Sequence, residues 1–196
     1  LTEAVPRHGS VFRMSKQYRD DWEKAARFLC DFAMVAPRTG EDWRADAQAV
    51  MNLRTSDPRG WLEVNDAPET DAWCDRTHPF IPPFLSEFDT SVFPVPKNAA
   101  IQLMSLLHAD WFAAWAEPDF DERKEDLMER AEVVLGRFGE NAVFYTNATA
   151  ARDDPEADMF HREQIHECFT DYPLDCGVIA VSPDEVGVFW GFFIGD

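Results

Sequence analysis

Two histidines and a cysteine fall within eight positions in His161-Arg162-Glu163-Gln164-Ile165-His166-Glu167-Cys168. A zinc pair carried on one helix needs His at i and i+4, so that both rings reach the metal from the same face. Here the spacing is five, which turns His166 away from His161; Glu163 shares a face with His166 and with Glu167 instead. Cys74 and His78 complete a four-ligand set with His166 and Cys168, but neither C-x3-H nor H-x-C is a zinc-knuckle spacing. The expectation is an exposed polar helix face, with no metal and no cofactor.

A Cys–His dyad drawn from Cys168 or Cys176 with His161 or His166 is the hydrolytic arrangement these residue types permit. It defines one alternative, a hydrolase with a His/Cys/carboxylate site near 160–176. Against it, the chain has no GxSxG elbow, no Walker loop and no GxGxxG. With 37 acids present, no pair of carboxylates stands out for glycoside chemistry. The residues therefore favour binding over catalysis.

The acids themselves carry more information. Lys and Arg total 18 against 37 Asp and Glu, a formal net charge of -19. Such a field repels phosphate backbones and anionic lipid, which argues against direct nucleic-acid or membrane binding, and it attracts basic proteins. The acids cluster. Glu117, Asp119, Asp121, Glu122, Glu125, Asp126, Glu129 and Glu132 face only Arg123, Lys124 and Arg130, and a second run comprises Asp153, Asp154, Glu156 and Asp158. A third, Glu63, Asp66, Glu69, Asp71 and Asp75, lies near Trp61 and Trp73. A solvated helix face with internal pairs such as Asp126–Arg130 accounts for part of this. The functional expectation is a partner-binding surface made by the first two runs (without Glu132). The expected partner is a basic protein, such as a nuclease or another toxin, inhibited in the manner of an immunity protein, antitoxin or nucleic-acid mimic.

Several elements must position these residues. Tyr18, Trp22, Ala25, Leu29 and Phe32 predict a helix from Ser15 that Pro37 ends, and Trp43, Ala47, Val50 and Met51 predict another over 41–53. Residues 61–97 hold six prolines among many aromatics, which predicts an irregular segment with short strands at most, for example 61–64 and 91–95. Asn98 caps a predicted helix over 99–115, apolar nearly all round through Ile101, Met104, Leu107, Trp111 and Trp115. The next helix starts at Asp119 or Asp121 and turns Leu127, Ala131, Val134, Leu135 and Phe138 inward. Residues 142–146 read as a strand, Asp154-Pro155 as the start of a helix reaching Phe169, and 177–181 and 186–194 as a hairpin. The last strand is apolar on both faces, so it is either central in a covered sheet or an edge shared within a larger assembly.

The fold class expected is α+β, with N-terminal and central helices packed on a small, mainly antiparallel sheet formed largely by the C-terminal part. One domain over 1–196 is expected, with 1–14 as a loose lead-in. At 196 residues, 45% hydrophobic and 13% aromatic, the chain is too apolar for disorder and large enough to fold without staples. Cys30, Cys74, Cys168 and Cys176 form no CxxC, so free thiols and a cytoplasmic location are expected. No signal peptide or membrane span is visible, and the first residue, Leu1, reads as the product of processing. The composition does not specify an oligomeric state.

Overall fold

The computed structural model describes residues 15–40, 42–59, 79–81, 86–161 and 165–193. The first helix, α1, runs Lys16–Leu29 behind a Ser15 cap that accepts from the Tyr18 amide at 3.1 Å. It stops well before Pro37. Phe32–Pro37 forms strand β1, with Phe32 opposite Trp190 and Met34 opposite Val188. A run apolar on both faces carries no helical period of its own, and pairing with a distant strand decides its state. Helix α2, Trp43–Met51, follows an Asp42 cap.

Part of the proline-rich segment is ordered into a single helical turn, α3 (Phe88–Ser91), and strand β2 (Phe93–Val95). The lead-in 1–14 and all of 60–78 lie outside the described residues, and with them the suggested strand at 61–64. Helix α4 spans Lys97–Leu106, shorter than the predicted 99–115, and two 3-10 turns follow at Asp110–Phe112 and Ala114–Ala116. Helix α5 covers Phe120–Gly136 and buries Leu127, Ala131, Val134 and Leu135 as their spacing requires. Strand β3 is Val143–Thr146, and α6, Ala150–Asp153, is a single turn.

The helix expected from Asp154 to Phe169 does not form. Turns occupy 154–161, and the segment around 165–170 is extended, bridging Ala148 to His166 and Phe80 to Thr170. The amides of Phe169 and Thr170, which a helix would direct to carbonyls four residues back, donate instead to the Asp175 carboxylate. The hairpin is as read: β4 (Leu174–Val181) and β5 (Glu185–Phe193) turn through Ser182, whose hydroxyl accepts from the Glu185 amide at 2.9 Å.

All pairings in the sheet are antiparallel, in the order β1-β5-β4-β3-β2. The chain is therefore α+β. Alternate residues feed two cores. Ala33, Val35, Val178, Ala180 and Phe189 meet Trp22, Leu29, Met104, Leu127 and Val134 from α1, α4 and α5. Met34, Ile179, Val188, Trp190 and Phe192 meet Val50 and Met51 of α2 together with Phe80, Phe88 and Phe169. β5 is hydrogen-bonded on both sides and covered on both faces, so it is an interior strand, between β1 and β4, and offers no edge to an assembly. Among the described residues no helix is long and apolar enough to cross a membrane.

Candidate functional site

The apolar stripe of α5 fixes where its acids point. With 3.6 residues per turn, burying Leu127, Ala131, Val134 and Leu135 leaves Asp121, Glu122, Glu125, Asp126 and Glu129 exposed on the opposite side. Arg123 and Arg130 swing towards α1 and lie 5.9 and 4.6 Å from the Phe28 ring centroid. Asp126 keeps its i,i+4 pair with Arg130 at 2.8 Å. Glu122, Glu125, Glu129 and Glu132 form no ion pair with any described residue. They follow one another at spacings of three, four and three along about 15 Å of helix. Like charges so placed cost the helix a few tenths of a kcal/mol per pair. Helix stability does not explain them.

The second acidic run lies beside the first. Asp153 at the end of α6 and Asp154, Glu156 and Asp158 on the turns after it are exposed. The Asp158 carboxylate accepts from the Phe160 amide at 3.0 Å and meets His161 Nδ1 at 2.9 Å. Phe160 packs edge-on against Phe120 at 5.0 Å, and Lys124 Nζ sits 4.5 Å from the same ring. Burial raises the Asp158 pKa, but the Phe160 amide, His161 and Lys124 outweigh it and leave the carboxyl below its usual range. The Asp158 end of the second run thus meets the first turns of α5, before which Asp119, also exposed, holds a left-handed position.

Glu117 is the exception among the expected binding acids. It is 8% exposed and paired with Arg123. Its other oxygen lies 3.1 Å from His108 Nε2, but without hydrogen-bond alignment. Burial and then the Arg123 charge push the His108 pKa down to about 4, so the ring is neutral at pH 7 and the contact is not an ion pair. Glu117 ties the turn to α5 and is not part of the exposed surface. The third run, 63–75, lies outside the described residues.

Between α4 and this acidic surface the backbone is strained. Trp111 adopts φ 58 and Phe112 φ 50, and each left-handed non-glycine residue costs roughly 1–2 kcal/mol. Packing holds them there. Phe112 is buried, edge-on to His166 at 5.6 Å. It also lies against Gly191, where an added Cβ would strike both the Leu107 carbonyl and the Phe112 ring. The buried Phe112 forces its neighbour outward: Trp111 is 51% exposed and lies on Phe193 at 4.5 Å, while Trp115 is 75% exposed. Both had the spacing of a buried helical stripe, and periodicity carries no sign of the break.

At the molecule's centre the structure assembles a polar cluster that no motif announced. Asp175 Oδ1 accepts from Asn147 Nδ2 at 3.0 Å and Trp190 Nε1 at 2.9 Å. Oδ2 accepts from the amides of Phe169 and Thr170, at 2.9 and 3.0 Å, and from Thr170 Oγ1 at 2.6 Å. Burial pushes the Asp175 pKa up to about 6, while the Thr170 and Trp190 hydrogen bonds and the two amides limit the rise; it is ionised at neutral pH. Asn147 Oδ1 accepts from the Gly177 amide at 2.9 Å. Gly177 itself leaves the room that the Trp190 indole occupies on its way to Asp175. The cluster fastens the 167–170 segment to the sheet.

Among the described residues, the groups singled out for metal or nucleophilic chemistry do not converge. His161 is exposed beside Asp158, whereas His166 is buried, with no hydrogen-bond partner among the described residues, and burial pushes its pKa down to about 3. Burial, then Asp175, pushes the Cys168 thiol up to about 11, and burial raises Cys176 further above the ordinary thiol range. Protonated thiols are poor nucleophiles. Among the described residues no three His, Cys, Asp or Glu side chains are grouped to hold a metal ion; Cys74, His78 and Glu163 lie outside them. No family model, curated protein or solved structure matches this chain, and the functional reading rests on its own surface chemistry.

Proposed function

We propose that this protein is an acidic binding protein that inhibits or masks a basic protein partner, in the manner of an immunity protein, an antitoxin or a nucleic-acid-mimicking inhibitor. One observation supports the reading: Asp121, Glu122, Glu125 and Glu129 lie exposed on α5, and the exposed second acidic run ends against the first turns of that helix, where Phe160 packs on Phe120 and Lys124 reaches the same ring. A surface of one sign speeds encounter with a partner of the opposite sign and rejects partners of its own. The net charge of -19 adds a long-range field of the same sign. A cytoplasmic setting suits the free Cys30, Cys168 and Cys176 thiols.

The reading is tested by affinity capture from the native cell at low ionic strength, elution with salt and mass spectrometry of what elutes. The expected outcome is a basic protein that releases as salt rises past the physiological range, where the Debye length falls to about 8 Å. Glu122→Gln, Glu125→Gln and Glu129→Gln combined should slow its association several-fold and flatten the salt dependence. A partner retained equally at all salt concentrations, or indifferent to this triple change, would sink the proposal.

A further inference from the structure

Arginine lies against an aromatic ring at several places in this fold, three times over the edge of the core and once over the exposed Phe28. Arg44 lies 4.7 Å from the Trp43 ring centroid, Arg130 4.6 Å from Phe28, Arg137 5.1 Å from Trp22 and Arg152 5.7 Å from Phe93. Trp111 and Trp115 are the most exposed aromatic side chains among the described residues, and no described cation covers either ring. None is near in sequence: from His108 to Asp119 the chain holds no Lys or Arg, while Asp110 and Asp119 are exposed. Two exposed indoles, close in sequence to Asp110 and Asp119, thus lack the guanidinium that the exposed Phe28 receives from Arg130.

We propose that Trp111 and Trp115 are the anchor of the partner interface, and that the occupant is an arginine-bearing segment of the basic protein, with guanidinium groups stacked on the indole faces and paired with the neighbouring carboxylates. The inference rests on the basic-partner reading and adds to it the recognising chemistry. Arginine, planar and weakly hydrated, suits an aromatic face better than lysine does. The turn is held in advance by the buried Phe112 and by the Trp111–Phe193 contact, so little ordering is left for binding to impose. Charge complementarity selects this occupant over a purely apolar one, which would leave Asp110 and Asp119 facing uncharged surface.

The probe is an arginine-rich peptide compared with its lysine counterpart of equal length and charge. Titration of the full chain at low salt is followed by calorimetry and by the indole N–H signals of Trp111 and Trp115, assigned through Trp111→Phe and Trp115→Phe. The expected result is tighter binding of the arginine peptide, shifts at both indoles, and a roughly three- to tenfold loss in Trp115→Ala, the range a single cation–π contact supports. Trp115 is 75% exposed, so its removal leaves folding intact. If Trp115→Ala and Trp111→Phe bind both peptides like the wild type while the triple glutamine variant of α5 loses them, the anchor is wrong and the acidic-surface reading stands. If neither peptide binds the wild type at low salt, both fall.

Discussion

Asp175 carries a buried negative charge whose contacts are all hydrogen-bond donors: two amides, a hydroxyl, an amide side chain and an indole. Asp175→Ala strands these donors in an interior where each unsatisfied group costs about 1–3 kcal/mol. Partial relaxation leaves an expected loss of about 3–5 kcal/mol, read from urea denaturation monitored at the tryptophans. His166 is the opposite case, since removing a ring without described partners strands nothing. His166→Leu should fall within about 1 kcal/mol of wild type at pH 7. Its effect appears on acidification. Burial depresses the folded pKa to about 3 from the ordinary imidazole value of 6.5, so the unfolded chain binds the extra proton and stability falls as pH drops through that window. His108, at about 4, acts in the same direction. Asp175, raised from 3.8 to about 6, acts in the opposite one, because its folded form holds the proton more tightly. His166→Leu should therefore reduce the slope of stability against pH between 6 and 4 by up to about 1.4 kcal/mol per unit. An unchanged slope would mean that His166 is solvated in the native state.

Elements end in this fold where tertiary contacts require it. Helix α2 closes with Arg54 N–H on the Ala49 carbonyl and Leu53 N–H on the Val50 carbonyl, the double bond pattern of a glycine-type C-terminus. Leu53 sits at the left-handed position, φ 53, and is exposed. Leu53→Gly should therefore raise stability by about 1 kcal/mol, read as a shift in the thermal midpoint, since it relieves Cβ strain and sacrifices little packing. The left-handed Trp111 is different, because its ring packs on Phe193 and Phe112 beside it is buried. Of the elements, α5, β3 and the β4–β5 hairpin were legible because each has a long or consistent pattern flanked by turn residues. β1 and the end of α4 were not. Phe32–Pro37 became a strand because β5 needed a partner, and α4 stopped because Phe112 turns into the core beside Gly191. The helix expected after Pro155 was lost to Asp175, which captures the amides of Phe169 and Thr170.

For the molecule as a whole, a net charge of -19 makes the folded state self-repelling, since compaction brings like charges closer. The thermal midpoint should rise with added sodium chloride up to about 0.5 M as screening shortens the Debye length; a midpoint that falls would place the dominant electrostatics in favourable ion pairs. Composition alone determined this field, and sequence order the α+β class, the two-faced β5 and the outward acids of α5, because the first follows from residue totals and the others from side-chain period along a single element. Only the tertiary structure decided that the end of the 153–158 run meets the start of α5, that Glu117 is withdrawn into an ion pair, that Trp111 and Trp115 are exposed, and that Asp175 sits at the hub of a buried network. Each of these depends on contacts between residues distant in the chain, and neither period nor spacing encodes which distant groups will meet.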